Sequence, residues 1–175
     1  MKKFTYTTIV IIVSFLFLIL SSFKSNLKTD GTYDSIDFGS LAISGIYMGS
    51  EHGKLIEKLG TPDSVVKEEN EIKEQGEFFE TYVYGKDRLL VINDTFIGFE
   101  LNSDKLSVSS LDLKVGDNIA KAKKLFPISF KNKDVDEFNP KWMTMSVQLG
   151  DSDSFMEIYS EDDKIKSIIT VTDGE

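Results

Sequence analysis

The chain of 175 residues carries 29 acidic and 20 basic side chains, a formal net charge of −9, and no cysteine. Such an acidic surface is a poor partner for nucleic acid or anionic lipid headgroups, and it is the ordinary composition of a soluble exported domain. Without cysteine there are no disulfides, thiol nucleophile, cysteine-zinc site or cysteine-linked lipid anchor.

The N-terminus has the pattern of a secretion signal or a membrane anchor. Lys2 and Lys3 precede an uncharged stretch from Phe4 to Phe23. A positive segment followed by an apolar one is typical of export signals, and about 20 helical residues would also span a hydrocarbon core of about 30 Å. We therefore predict that residues 1–23 are either a signal peptide or a hydrophobic helix that anchors the chain. In both cases the remaining chain lies outside the cytoplasmic membrane.

Residues 24–40 are predicted to be a polar tether, because Asp30-Gly31 and Gly39 interrupt a segment with few apolar side chains. Removing residues 1–23 takes away two lysines and no acid, which leaves 18 basic against 29 acidic residues and a net charge of −11. About 135 residues follow the tether, enough for one ordinary domain or for two small halves that share a core.

Two short helices are predicted, one in each half of this remaining part. The first begins at Gly49, with Ser50 as its N-cap, and ends at Gly60. The second begins at Gly116, with Asp117 as its N-cap, and ends before a proline. These residue types are the usual start and stop signals of a helix.

Strand-like segments, rich in aromatic and β-branched residues, follow each helix and are separated by glycine, asparagine and aspartate turns. We interpret the two halves as an internal duplication, with repeat 1 at 41–109 and repeat 2 at 110–175. The predicted fold is α+β, with two tandem helix-plus-antiparallel-meander repeats whose helices pack on one sheet face, preceded by the N-terminal hydrophobic helix. The predicted strands are Phe78 to Tyr84, Arg88 to Ile92, Thr95 to Leu101, a short strand around Leu106 and Val108, Trp142 to Leu149, Ser154 to Ser160 and Lys164 to Thr172.

Leu59-Gly60-Thr61-Pro62 at the end of the first helix, followed by Glu80 to Tyr84 and a hairpin meander, is similar to a known repeat. It resembles the repeat unit of beta-lactamase inhibitor proteins and of small outer-membrane assembly lipoproteins, over residues 43–109 and more loosely over 111–172. In the second half Leu125-Phe126-Pro127 replaces the motif. The resemblance implies helices on one face of an antiparallel sheet and a noncatalytic, protein-binding role. It transfers no site residues, because the lipid-attachment cysteine and any matching inhibitory loop are missing.

Strand periodicity predicts a candidate binding face. Trp142, Phe155 and Tyr159 are expected on the sheet face away from the helices, and Tyr82 and Tyr84 share a face in the first half. Aromatic side chains among small polar ones are typical of protein contacts, since they bury a large area and lose little entropy. The alternative is ordinary cross-strand packing. The positions expected to face the helices are Met143, Met145, Val147, Leu149, Met156 and Ile158.

The sequence contains no recognisable catalytic or phosphate-binding pattern, so we expect no catalytic residue, no metal and no cofactor. His52, the single histidine, falls in the first turn of the first helix, where an exposed polar side chain is the ordinary explanation. Acidic turns offer oxygen ligands for calcium, although the glycine and glutamate spacing of a calcium loop is missing. These turns contain Asp151, Asp153, Glu161, Asp162 and Asp163.

Together these patterns predict an exported or membrane-anchored, noncatalytic module of the cell envelope that binds another protein. The N-terminal segment contacts the membrane if it is not cleaved. One alternative is a small exported hydrolase, which would show a concave pocket with buried carboxylates of shifted pKa. The other is a purely structural envelope domain, in which Trp142, Phe155 and Tyr159 would be buried.

Overall fold

The structure, a computed structural model, describes residues 32–68 and 79–172. The predicted signal or anchor at residues 1–23 and the first part of the predicted tether lie outside the described residues. Within the described ranges, no helix is long and apolar enough to cross a membrane.

Strands make up most of the regular structure. The six long strands predicted from the sequence are confirmed, and each of their ends lies within one residue of the predicted position. The predicted strand around Leu106 and Val108 is absent from the described residues; Val108 forms only isolated bridges to Ile43 and Leu113. The strands are β1 (Ser35–Ile36), β2 (Ala42–Ile43), β3 (Ile46–Tyr47), β4 (Ser64–Glu68), β5 (Phe79–Tyr84), β6 (Asp87–Ile92), β7 (Thr95–Leu101), β8 (Asp134–Val135), β9 (Trp142–Leu149), β10 (Ser154–Glu161) and β11 (Lys164–Thr172).

The helices are short, and the two predicted N-caps are wrong. Gly60, with φ 82°, ends the first helix as predicted. Asn118 caps the second, because its Oδ1 accepts a hydrogen bond from the Ala120 N–H at 2.8 Å. Asp117 instead accepts from the Lys114 N–H at 3.1 Å, and no side-chain cap precedes the first helix. The α-helices are α1 (Gly53–Leu59), α2 (Ile119–Leu125) and α3 (Pro127–Lys131), and a 3₁₀ turn covers Phe38–Ser40.

Nine of the strands form one sheet in the order β1-β9-β10-β11-β7-β6-β5-β4, with β8 also paired to β9. Pairing of Leu101 with Ile168 joins β7 to β11. The strands of the first half, β4 to β7, and those of the second half, β9 to β11, therefore form one continuous sheet. All pairs in this sheet are antiparallel except β1 with β9, which is parallel. Strands β2 and β3 form a separate two-stranded sheet.

The predicted fold class, α+β with two helix-plus-meander repeats, is wrong. The described residues are 46% strand and 17% helix, in one large mixed sheet with three helices. Three strands that the sequence did not reveal, β1, β4 and β8, extend the sheet at its two edges. The helices have seven, seven and five residues, about two turns or fewer. They are therefore too short to form the helical layer of the two predicted repeats.

The large sheet buries one of its faces, which we call the inner face; the other is the outer face. Six side chains of β9 and β10 were predicted to face the helices. The prediction is confirmed for five of them, which are fully or nearly fully buried, while Met143 is partly buried. The buried side chains of α1 and α2, Leu55, Ile119 and Ala122, belong to the same apolar cluster. The five confirmed positions are Met145, Val147, Leu149, Met156 and Ile158.

The end of the predicted tether packs against the second half of the chain. The Asp34 carboxylate accepts the N–H groups of Ile128 at 2.8 Å and Ser129 at 2.9 Å, so it caps α3 from far away in sequence. The next residues form β1, where Ser35 lies opposite Gln148 of β9. Residues 32–36 are therefore held on the edge of the sheet beside the candidate binding face.

Candidate functional site

The outer face carries a mainly apolar groove of about 720 Å³ where β8, β9, β10 and β11 meet. Its floor comes from cross-strand neighbours, since Thr144 of β9 lies opposite Tyr159 of β10, which lies opposite Ser167 of β11. The groove is lined by Asp134, Val135, Asp136, Trp142, Met143, Thr144, Tyr159, Ser160, Glu161, Lys166 and Ser167.

Trp142 stands at the rim of this groove with 52% of its surface exposed. It begins β9 directly opposite Glu161, and its Nε1 donates a hydrogen bond to Glu161 Oε1 at 2.7 Å. The other oxygen of Glu161 lies 3.2 Å from the Lys166 ammonium. Hydrogen bonds from Trp142 and Lys166 hold the pKa of Glu161 below its usual value. The indole is thus oriented by an ionised carboxylate while much of its ring faces solvent.

Lys166 reaches Glu161 because of a β-bulge. Ser160 pairs with Ile165, whereas the preceding Tyr159 pairs with Ser167, so Lys166 is an extra residue in β11. A bulge strengthens the local twist and redirects side chains, and bulges are common beside functional sites. A regular β-ladder would not place Lys166 at the groove, whereas the bulge does.

Tyr159 forms the floor of the groove on the central strand of the three. Its hydroxyl donates to the Glu157 carboxylate. Burial, together with this hydrogen bond, raises the pKa of Tyr159 to about 12. The phenol is therefore neutral at physiological pH, and it presents an uncharged aromatic surface next to Trp142.

Two more exposed apolar side chains precede β9 in the chain, one in β8 and one in the loop from β8 to β9. Val135 is 44% exposed and Phe138 is 95% exposed. The loop is well ordered by hydrogen bonds, because Asp136 Oδ1 accepts the N–H groups of Phe138 at 2.8 Å and Asn139 at 2.7 Å. The Asp136 N–H also donates to the carbonyl of Trp142. We call Phe138, Trp142 and Tyr159 the aromatic patch; Val135 lies opposite Met143 and so belongs to the inner face.

The five aromatic residues singled out from the sequence divide between the two sheet faces. Trp142, Phe155 and Tyr159 lie on the outer face, and two of them line the groove. Phe155 sits farther along β10, partly covered by Tyr33, whose ring meets it edge-on at 5.3 Å between centroids. Tyr82 lies opposite buried Leu89, so it belongs to the inner face.

Tyr82 and Tyr84 are therefore not brought together with Trp142. Tyr82 is buried, and burial and its hydrogen bond to Glu80 raise its pKa to about 12. Burial also raises the pKa of Tyr84, whose hydroxyl donates to the Gly60 carbonyl at 3.1 Å. Both are packing residues beside α1, Tyr84 at its end and Tyr82 next to His52 at its start.

Sequence reasoning missed Phe138. A usable signal was present, since Phe138 is a large apolar side chain within the polar run Asp136-Glu137-Phe138-Asn139-Pro140. An apolar residue in a polar turn has no strand pattern to bury it, and such a residue is a candidate for contact with another molecule.

His52 takes part in a second cluster of polar side chains, on the inner face. Its Nδ1 lies 3.2 Å from Asp94 Oδ1 without the alignment of a hydrogen bond, and its ring is tilted against Tyr82 at 6.0 Å. Nearby, Glu80 contacts the Lys67 ammonium at 2.6 Å. The hydrogen bond from Lys67 lowers the pKa of Glu80. These groups are paired with one another, which fits a role in holding the β6–β7 turn against α1.

A larger concavity, of about 870 Å³, lies on the outer face of the first half. It offers short side chains such as Thr81 and Val83, and two of its three charged residues are already paired, since Arg88 lies 2.9 Å from Glu100. Its aromatic residue, Phe99, is buried. The smaller groove is therefore the better candidate, because it presents exposed aromatic surface.

The carboxylates of the acidic turns do not converge. Among the residues that the structure describes, no group of three or more histidine, aspartate or glutamate side chains is arranged to hold a metal ion. Asp162, one of the candidate calcium ligands, instead pairs with Lys141 at 2.8 Å.

No family model, curated protein or solved structure matches the chain. The similarity of residues 59–62 and 80–84 to the inhibitor and assembly repeat thus stays a prediction. The fold that this similarity implied is the one corrected above.

Proposed function

We propose that this protein is an exported or membrane-anchored, noncatalytic module of the cell envelope that binds another protein through the aromatic patch. The observation that carries the proposal is the exposure of two large aromatic side chains, Trp142, which lines a mainly apolar groove, and Phe138, in the loop that leads into β9. Grouped exposure of this kind is typical of interaction sites, whereas scattered apolar residues are normal on any surface.

The patch is suited to tight contact because its main anchor is already oriented. A tryptophan buries about 200 Å² when fully enclosed, so covering the exposed half of Trp142 contributes about 2–3 kcal/mol at about 25 cal/mol per Å². The hydrogen bond to Glu161 fixes the ring before binding, which lowers the entropy cost of ordering it. Micromolar affinity corresponds to about 8 kcal/mol after the cost of association, so other contacts around Trp142 must contribute as well.

The carboxylates in the described ranges give the hydrolase alternative little support. A general acid needs a raised pKa, whereas the pKa values of Glu80, Glu100 and Glu161 are lowered by hydrogen bonds. Asp87 is buried, but its oxygens accept hydrogen bonds from Asn102 and Ser103. These groups are better suited to fixing structure than to proton transfer.

The purely structural alternative would require the aromatic side chains of the outer face to be covered. Phe155 and Tyr159 are partly buried, but Trp142 and Phe138 are largely open to solvent. Export and membrane contact are proposed from the sequence, on Lys2 and Lys3 and the apolar stretch that follows them.

The proposal is tested by capture from envelope extracts with the full-length chain as bait. Trp142→Ala and Phe138→Ala baits are compared with the unchanged chain, and Tyr47→Ala serves as a control, because Tyr47 is 57% exposed on β3, outside the patch. A partner retained by the unchanged and Tyr47→Ala baits but lost by both patch variants supports the proposal. Equal retention by all four baits would rule out the aromatic patch as the binding site.

A further inference from the structure

We infer, resting on the proposed function, that the groove binds a basic segment of the partner, with an arginine or lysine side chain placed over the ring of Trp142 between Asp134 and Glu161. The partner is thus a protein that presents a positively charged, extended segment to the outer face of the sheet.

The charges that line the groove favour a cation. Three carboxylates, those of Asp134, Asp136 and Glu161, line it together with a single basic side chain, Lys166. That lysine is already paired with Glu161. Asp134 forms no ion pair within the described residues. The groove therefore has an uncompensated negative charge beside its aromatic wall.

The orientation of Trp142 favours contact through the face of its ring. The N–H edge of the indole is occupied by Glu161 at 2.7 Å, so this edge is not free to donate to a ligand. The ring face is the surface that attracts cations, because the negative side of the aromatic quadrupole lies there. A tryptophan face flanked by carboxylates is a better site for guanidinium or ammonium than either feature alone, and a planar guanidinium stacks on it as well.

Lys166 acts as a competitor for the incoming cation. Its side chain is 54% exposed and lies on a bulge, so it can swing away from Glu161 at small cost. A partner arginine that reaches Glu161 would replace the lysine. Removing Lys166 should therefore tighten the binding of a basic ligand, which is an effect that a purely hydrophobic groove would not show.

The test uses the full-length chain in a non-ionic detergent and two fluorescently labelled peptides of about ten residues. One carries arginines among serine and leucine, and the other is identical except that citrulline, which is neutral and of the same shape, replaces each arginine. Binding is measured by the anisotropy of the label. In a parallel titration with unlabelled peptides, the emission of Trp142, the single tryptophan, reports occupancy of the groove.

We expect the arginine peptide to bind and to change the emission of Trp142, and the citrulline peptide to bind about tenfold more weakly. Asp134→Asn should weaken the arginine peptide about threefold, and Lys166→Gln should strengthen it by a similar factor. Asp104→Asn, an equal charge change in an exposed turn outside the groove, should have no effect. Added salt should weaken binding of the arginine peptide.

Equal binding of the two peptides, or no binding of the arginine peptide, would overturn the inference of a basic ligand. Neither result bears on whether a partner is captured through Trp142 and Phe138, so failure of this inference is distinguishable from failure of the proposed function. Because Asp134 is exposed and makes no ion pair within the described ranges, its variant leaves folding intact and keeps the test decisive.

Discussion

Trp142 and Glu161 face each other across β9 and β10, and the indole N–H donates to the carboxylate at 2.7 Å. The pair stands where the bulge at Lys166 brings an ammonium to the second oxygen of the same carboxylate. One residue of the pair is exposed and apolar, and the other is charged. This combination keeps a large aromatic ring in a fixed position at the surface, where it would otherwise be mobile.

Because Trp142 is the only tryptophan, its emission should report the protonation of Glu161. Hydrogen bonds from Trp142 and Lys166 lower the pKa of Glu161 from 4.5, so the folded state favours the carboxylate. A lowered pKa in the folded state contributes stability that is present above the unfolded value and is lost as pH falls through the folded value. We predict an emission change on acidification with its midpoint below 4.5.

The control for this titration is Glu161→Gln, which keeps an acceptor for the indole N–H but does not titrate. This variant should lose the acid transition, while circular dichroism shows that both proteins are still folded over the range. A midpoint at or above 4.5 in the unchanged protein would contradict the assigned contact.

Trp142→Ala should cost less stability than a core substitution, because half of the side chain is already in water. We expect a loss of about 1–2 kcal/mol in the free energy of unfolding, from the covered half of the ring, whereas Met145→Ala on the same strand should lose about 2–5 kcal/mol because Met145 is fully buried. Urea denaturation of both variants measures the difference. A loss of about 3 kcal/mol or more for Trp142→Ala would show that the residue belongs to the core.

Asp87 should raise the free energy of unfolding by several hydrogen bonds, although its carboxylate is buried. Its Oδ1 accepts the N–H groups of Asn102 and Ser103, each at 2.8 Å, and its Oδ2 accepts the Ser103 hydroxyl at 2.6 Å. Asp87→Ala leaves these donors unpaired and should cost about 2–4 kcal/mol, while Asp87→Asn should cost less because one acceptor oxygen remains. Thermal unfolding measures both, and equal loss in the two variants would contradict this account.

The positions of the long strands could be predicted from the sequence, because alternation of apolar and polar residues is a local signal. Met145 and Val147 on β9 and Ile158 on β10 are buried as that pattern required. The fold class could not be predicted in the same way, because it depends on which strands pair across the sheet. The two-residue strands β1 and β8 are too short for any alternation, and the five residues of β4 include two exposed valines.

The candidate site could be predicted only in part for the same reason. Strand periodicity placed Trp142 and Tyr159 on one face, but nothing local could show that Tyr82 lies on the other. That relation follows from the pairing of β7 with β11, a contact between residues far apart in sequence. Phe138 lay in a loop, where no periodicity applies.

Replacing Gly116 should destabilise the protein because of its backbone conformation, and not because a side chain would clash with a neighbour. Its φ is +90°, which is unfavourable for side chains with a Cβ, although no atom lies within 4 Å of the place where the Cβ would go. Gly116→Val should therefore destabilise the protein by about 1–2 kcal/mol. Gly53→Ala is the matched control, since Gly53 lies in α1 with the same open space, and it should be neutral or slightly stabilising. No difference between the two variants in urea denaturation would contradict the assigned backbone conformation.

The measurement that tests the binding role most directly is site-specific photo-crosslinking in intact cells. A photoreactive amino acid is placed at Phe138, which is 95% exposed on the aromatic patch, and separately at Tyr47, which is 57% exposed on β3. The account predicts a discrete crosslinked protein from position 138 that is missing from position 47 and is lost when Trp142→Ala is added. The same crosslinks from both positions, or none from position 138, would contradict the assignment of the aromatic patch as a protein-binding site.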